Sequence, residues 1–283
     1  MTSSYLNIVT FLITTIFYYF SLKPMLKYDV ISEQNKYKTF ISNSYMYLAI
    51  YLLSIIVIQF IVNTYVITSS CGGNITDNLE ASGFLTFIPW TLIFGAVILI
   101  LSIYPGFKSA FSDVIGYFYV SNSANKILSE LLIDRDIQNQ IEGDLTLTPE
   151  KQTNLQNAAD SIIKIFGNSS ILINQIVPSN FNRYWNILKP LMKDKYQINT
   201  PQTDSLKNEL FDLVVSRDNV GEAMWFTYTG VLLTALVQMK ITTRGCINNP
   251  KTMEQNYKTF VEEENKAKTK QQLATSTNYT LAT

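Results

Sequence analysis

The sequence predicts an all-α fold, multi-pass transmembrane helices carrying a helical bundle at the membrane surface. Three observations predict it. Hydrophobic residues make up 47% of the 283-residue chain and charged residues only 16%, against roughly 25% charged in ordinary soluble domains. The charge deficit is local. It falls in four apolar windows, three of them before residue 104, on the scale of the roughly 20 apolar residues that carry a helix across a bilayer core. Between the last two windows, apolar residues recur at helical spacing instead of alternating.

The windows set the expected organisation. Residues 1–103 form an N-terminal region with three spans at about 5–22, 45–67 and 84–103. Tyr45–Ile67 (YMYLAIYLLSIIVIQFIVNTYVI) and Phe84–Ile103 (FLTFIPWTLIFGAVILILSI) carry no charge. Pro89 lies near the start of its window, where a missing backbone donor costs least. Tyr5–Leu22 is shorter and more polar. It lacks a basic stretch before it and a small-residue cleavage site after it, so it reads as a retained anchor. Residues 104–222 form an interfacial helix and a helical bundle, 223–239 a fourth span, and 240–283 a polar tail. A buried core helix is the alternative for 223–239.

Charge asymmetry orients the spans. The connection Lys23–Ser44 holds four lysines and two acids, whereas Thr68–Gly83 holds Asp77 and Glu80 and no basic residue. The positive-inside rule places the first connection, and with it residues 104–222, on the cytosolic side. The tail, with seven basic residues against four acids, disagrees. In this topology Cys71 and Cys246 lie on the same lumenal side, as a disulfide or as two unrelated thiols. Asn74-Ile75-Thr76 there is a glycosylation sequon at Asn74.

Within 104–222, Ile127, Leu128, Leu131, Leu132 and Ile137 form an apolar stripe, and Thr148-Pro149-Glu150 is a helix start with Gly167 as its stop. Phe181, Trp185, Leu188 and Met192 form a second stripe interrupted by Pro190. Leu206, Leu210, Leu213 and Val214 form a third. It is expected to run nearly straight into the last span, with Gly221 as a flex point. The tail lacks apolar periodicity and is expected to be disordered or extended along a partner.

The stretch YPGFKSAFSDVIGYFYV, Tyr104–Val120, leaves the third span without becoming hydrophilic. Pro105 and Gly106 redirect the chain. Phe107, Phe111, Val114, Ile115 and Phe118 follow at helical spacing. We expect an amphipathic helix lying in the headgroup region, seated by Phe107, Lys108, Phe111 and Tyr117, with Tyr45, Trp90 and Trp225 as interface anchors. The alternative is the first core helix of the bundle.

Function classes narrow accordingly. Formal net charge is zero, which argues against nucleic acid as a partner. The chain has no histidine, the usual general base and commonest metal ligand. No Gly-x-Ser-x-Gly, Walker, His-Glu-x-x-His or Cys-x-x-Cys motif occurs. No enzyme activity, metal or cofactor is expected. The two strongest windows hold no ionisable group, which disfavours a small transporter.

YPGFKSAFSDVIGYFYV, PSNFNRYWNIL and LFDLVVSRDNVGEAMWFTYTGVLLTALV followed by a cysteine are similar to a family of membrane proteins of nucleocytoplasmic large DNA viruses, over roughly Phe84 to Cys246. The resemblance implies a structural virion membrane protein. Such a protein is a minor capsid component linking the inner viral membrane to the capsid shell, without catalytic residues. Its implied partners are the lipid bilayer and major and minor capsid proteins, in a homo- or hetero-oligomer. Its implied location is the virion inner membrane, derived from host endoplasmic reticulum during assembly. A viral entry or fusion-associated membrane protein is the alternative, and a small membrane transporter the second alternative.

Overall fold

The computed structural model describes residues 5–72, 74–132, 169–243 and 250–277. The chain is all-α, with no strand among the described residues. The helices are α1 (Leu6–Leu22), α2 (Tyr28–Ser32), α3 (Gln34–Cys71), α4 (Ile75–Ile103), α5 (Tyr117–Leu131), α6 (Ser169–Gln175), α7 (Phe181–Leu188), α8 (Asp194–Gln197), α9 (Pro201–Thr243) and α10 (Pro250–Thr277). By length and composition α3, α4 and α9 can each cross a membrane, and α1 is a shorter apolar helix. Ile137, the helix start at Thr148 and its stop at Gly167 lie outside the described residues.

Local chemistry explains the helix ends. α3 stops where Gly72 takes a left-handed φ of 70°, and its N–H bonds back to the Thr68 carbonyl at 2.9 Å. A side chain there would be strained, so glycine is the natural terminator. α4 begins directly after Asn74, whose N–H donates to the Asp77 carboxylate at 3.3 Å, an acid well placed at the positive end of a helix. The loop expected over 68–83 is therefore almost wholly helical. Pro89, expected near a helix start, lies inside α4. The backbone accommodates it with a wide π-type turn over Pro89–Phe94, the usual answer to a missing donor. The tail also departs from expectation, because residues 250–277 form α10. It starts on a proline and carries Glu254–Lys258 and Glu264–Lys268 pairs, each 2.8 Å and one turn apart. Such pairs support a helix that has no apolar face to bury.

The chain divides into two compact units. The first comprises Met1–Ile13, Leu53–Ile93 and Gly230–Thr283. Its apolar cluster joins Val62, Val66 and Ile67 of α3 to Val237 and Ile241 of α9, with Leu6, Cys71 and Leu85 packed against it. Beside this cluster runs a neutral polar seam. Asn7 Nδ2 donates to Asn63 Oδ1 at 2.7 Å, and Asn63 Nδ2 donates to Thr86 Oγ1 at 2.8 Å. Gln59 Nε2 donates to the Asn7 carbonyl at 3.0 Å. Gln59 and Asn63 are buried. Their amides are thus spent on helix–helix hydrogen bonds, the role polar residues take where lipid offers no partner. Gly230 lies under the Phe11 ring, and any Cβ there would overlap it.

The second unit comprises Thr14–Leu52 and Phe94–Thr229. Its core gathers Ile127, Leu128 and Leu131 of α5, Leu172 and Ile173 of α6, Phe181, Trp185 and Leu188 of α7, and Leu206, Leu210, Phe211 and Val214 of α9. The three stripes read from the sequence meet here. Trp185 is a core residue. Pro190 turns the chain after α7 through one short turn, Lys189–Leu191, which brings Met192 opposite Leu132 in an isolated antiparallel bridge. Phe181 sits edge-on to Phe211 at 5.0 Å and to Tyr28 at 5.8 Å. The connection after α1 is therefore packed onto the bundle through α2.

Replacing Asn63 by alanine removes two hydrogen bonds from the seam. The expected cost is about 1–2 kcal/mol, read as a lowered thermal midpoint in detergent with the helical circular dichroism at low temperature unchanged.

Candidate functional site

The densest charge cluster in the second unit centres on Glu222. Asp218 and Glu222 lie one helical turn apart on α9 and so share a face. Lys108 reaches both, with Nζ 2.9 Å from Asp218 Oδ2 and 2.8 Å from Glu222 Oε2. Lys23, from the end of α1, pairs with Glu222 Oε1. Tyr19 donates its hydroxyl to the same oxygen at 3.1 Å. The four charged side chains are only 13–17% exposed. Burial works against the charge on Lys108, but the carboxylates of Glu222 and Asp218 outweigh it and raise its pKa above the ordinary lysine value. Three stretches distant in sequence are thus tied to one carboxylate.

Two glycines let the backbones approach. A Cβ on Gly116 would lie 2.6 Å from the Arg217 carbonyl oxygen. A Cβ on Gly221 would lie 2.7 Å from Ser112 Cβ and 2.9 Å from the Lys108 carbonyl oxygen. Residue 116 faces 217, 112 faces 221, and 108 reaches 222, so the segment after α4 runs antiparallel to α9. Its backbone is irregular: a tight turn over Pro105–Lys108, one helical turn over Ser109–Phe111, then a wide π-type turn over Ser112–Gly116. Gly221 is accordingly a packing position in an unbroken helix, and the expected flex point is corrected.

The interface residues named from the sequence separate into groups. Pro105, Gly106 and Phe107 are exposed, as is Tyr45. Lys108, expected to seat the segment among headgroups, is instead only 14% exposed and held in ion pairs, because two carboxylates one turn apart on α9 hold its ammonium. Tyr117 packs against the bundle core. Trp90 is 0% exposed, with its ring 5.4 Å from Phe11. An anchor at the membrane surface needs a wet edge, so that assignment is corrected. Trp225 donates its indole N–H to the Phe107 carbonyl at 2.8 Å and stacks edge-on against Phe111 at 5.2 Å, clamping the segment from α9. Val114, Phe118 and Tyr119 are exposed, while Val120 and the rest of the stripe in α5 enter the core. Asn74 is exposed. Cys71 is disulfide-bonded; Cys246 lies outside the described residues.

A cavity of about 460 Å³ opens beside the cluster within the same unit. Its lining includes the charged residues Lys108, Asp113, Arg217, Asp218 and Glu222 and the apolar residues Phe40, Ile41, Leu48 and Leu101. No group of three or more His, Cys, Asp or Glu side chains among the described residues is placed to hold a metal ion. No protein-family model, curated protein or solved structure matches the chain.

Glu222→Gln leaves Lys23 buried without its carboxylate. We expect a loss of roughly 3–5 kcal/mol, the range for breaking one side of a buried ion pair, measured by thermal unfolding in detergent against the wild type. Gly221→Val forces α9 away from Ser112 and is expected to cost about 1–3 kcal/mol. A variant as stable as wild type would refute the close approach.

Proposed function

We propose that the protein is a structural virion membrane protein, a minor capsid component that anchors the inner viral membrane to the icosahedral capsid shell. The observation that carries this reading is α9. One helix of 43 residues carries the core residues Leu206, Leu210 and Phe211 in its first part and runs on through the apolar stretch 223–239 to Thr243. A bundle built on such a helix continues into its membrane anchor without a linker, as an attachment between membrane and shell requires. The resemblance of residues 84–246 to virion membrane proteins of large DNA viruses supplies the viral context. Capsid proteins are the partners of residues 104–222, and α10 offers a polar, extended arm. Inside an assembly, such an arm gains affinity through effective concentration. No catalytic role is assigned.

A penetration or fusion role draws on one observation, the exposed aromatics Phe118 and Tyr119. The two readings differ in accessibility, since a shell anchor lies beneath the capsid and a fusion protein must reach beyond it.

Cross-linking mass spectrometry on intact virions separates them. Links from the exposed Lys126 and Lys195 to capsid proteins are expected. Labelling of the same lysines by a reagent that cannot pass the shell would favour fusion. Absence of the protein from virions would overturn both.

A further inference from the structure

The stretch Tyr104–Asn125 carries two charges, Lys108 and Asp113. Lys108 is held against α9 by Asp218 and Glu222. Asp113 is half-buried, lines the cavity and accepts from Ser112 at 3.2 Å. The fully exposed side of the stretch is therefore uncharged, and its large side chains are apolar or aromatic. Val114 is 68% exposed, Phe118 83% and Tyr119 71%. A helix face that meets water normally carries charged and polar residues. The chain enters this stretch directly from the last turns of α4, a helix apolar and long enough to cross a membrane, where Leu99, Ile100 and Ile103 are exposed.

The register against α9 gives these side chains a depth. The Phe107 carbonyl is bonded by Trp225, Gly221 faces Ser112 and Gly116 faces Arg217. At 1.5 Å per residue, Val114 lies level with about residue 219 of α9 and Phe118 with about residue 215, roughly 6 and 12 Å beyond Ala223. The charge-free run of α9 between Glu222 and Lys240 holds 17 residues, 223 to 239. That is about 25 Å of helix, short of a hydrocarbon core of about 30 Å, and headgroups add roughly 5–7 Å on each side. With α9 along the bilayer normal and Lys240 at one edge of the core, the other edge falls about 5 Å past Ala223, and the headgroups reach to about 10–12 Å. Val114 then sits at the edge of the hydrocarbon, and Phe118 and Tyr119 sit among the headgroups, the level that aromatic side chains favour. Tilting α9 carries the edge further past Ala223. Asp218 and Glu222 fall in the same band, which accords with their low exposure and their pairing with Lys23 and Lys108.

We propose that Val114, Phe118 and Tyr119 form a lipid-contact surface, and that the bilayer rises past the Glu222 cluster to their level. The segment stands along α9 through the headgroup layer instead of lying flat within it. On its side of the unit it lengthens the apolar belt that α9 alone leaves short. The proposal requires a membrane and does not rest on the capsid reading.

The test is photo-cross-linking of the full chain in vesicles of dioleoyl phosphatidylcholine. Photoreactive benzoylphenylalanine is placed at Val114, Phe118, Leu99 or Ile198, one position at a time. Leu99 of α4 is the lipid reference. Ile198 is the aqueous one, 62% exposed and just before α9, whose first residue is about 33 Å along the helix from Ala223. Val114 and Phe118 are exposed, so the bulky label leaves the core untouched. Chains labelled at these two positions are expected to gain the mass of one phospholipid, in a yield like that at Leu99, with no such gain at Ile198. A yield at both as low as that at Ile198 would overturn the proposal. Cross-links between two chains in place of lipid adducts would assign the face to a second copy and overturn it as well.

Discussion

The contact on which the second unit depends is the carboxylate of Glu222 held between two ammonium groups. Lys23 comes from the stretch after α1, Lys108 from the stretch after α4, and Glu222 from the middle of α9. Each charge alone is costly to remove from water. Together, with Asp218 and the Tyr19 hydroxyl completing the set, they are compensated at low exposure. The geometry needed for that compensation is narrow. Lys108 must approach two oxygens on successive turns of α9, and it can do so only if the Pro105–Gly116 segment lies flat against that helix.

The glycines make that approach possible, and the aromatic residues close it. Gly116 and Gly221 bring two backbones to a separation that any side chain would prevent. Trp225 then bonds the Phe107 carbonyl and covers Phe111. A segment that reads as amphipathic is consequently held by its polar side and leaves Phe107, Val114 and Phe118 outward. Further along, the same chain enters the bundle through Val120 and Ala124. One stretch serves as surface and then as core: within the helix that starts at Tyr117, Phe118 and Tyr119 still face outward, and Val120 is the first apolar side chain to be buried.

The first unit solves a similar problem without charge. Asn7, Gln59, Asn63 and Thr86 are linked by hydrogen bonds across helices. Neutral amides lose less on burial than ions, so a seam inside apolar helices can be built from them one pair at a time. The charged cluster contains Lys23 at the end of α1 and Lys108 beyond α4, where the chain has left its apolar windows. The distribution follows the cost of each group in an apolar medium.

Hydropathy and periodicity determined the all-α class, the apolar windows and the three stripes of the bundle, down to Phe181, Trp185, Leu188 and Met192 as core. These are local signals, each written within about 20 residues by the 3.6-residue repeat. α10 escaped because its helix rests on charge pairs and offers no apolar face. Pro89 misled because a π-type turn can absorb a proline inside a helix. What only the tertiary structure decided is which polar groups meet. Lys108 is 110 positions from Asp218, and Lys23 is 199 from Glu222. No local pattern distinguishes a lysine that seeks headgroups from one that seeks a distant carboxylate, or a tryptophan at a membrane edge from one sealed inside like Trp90. Burial and ion pairing are properties of the packed chain, since both depend on what other elements bring to the same place.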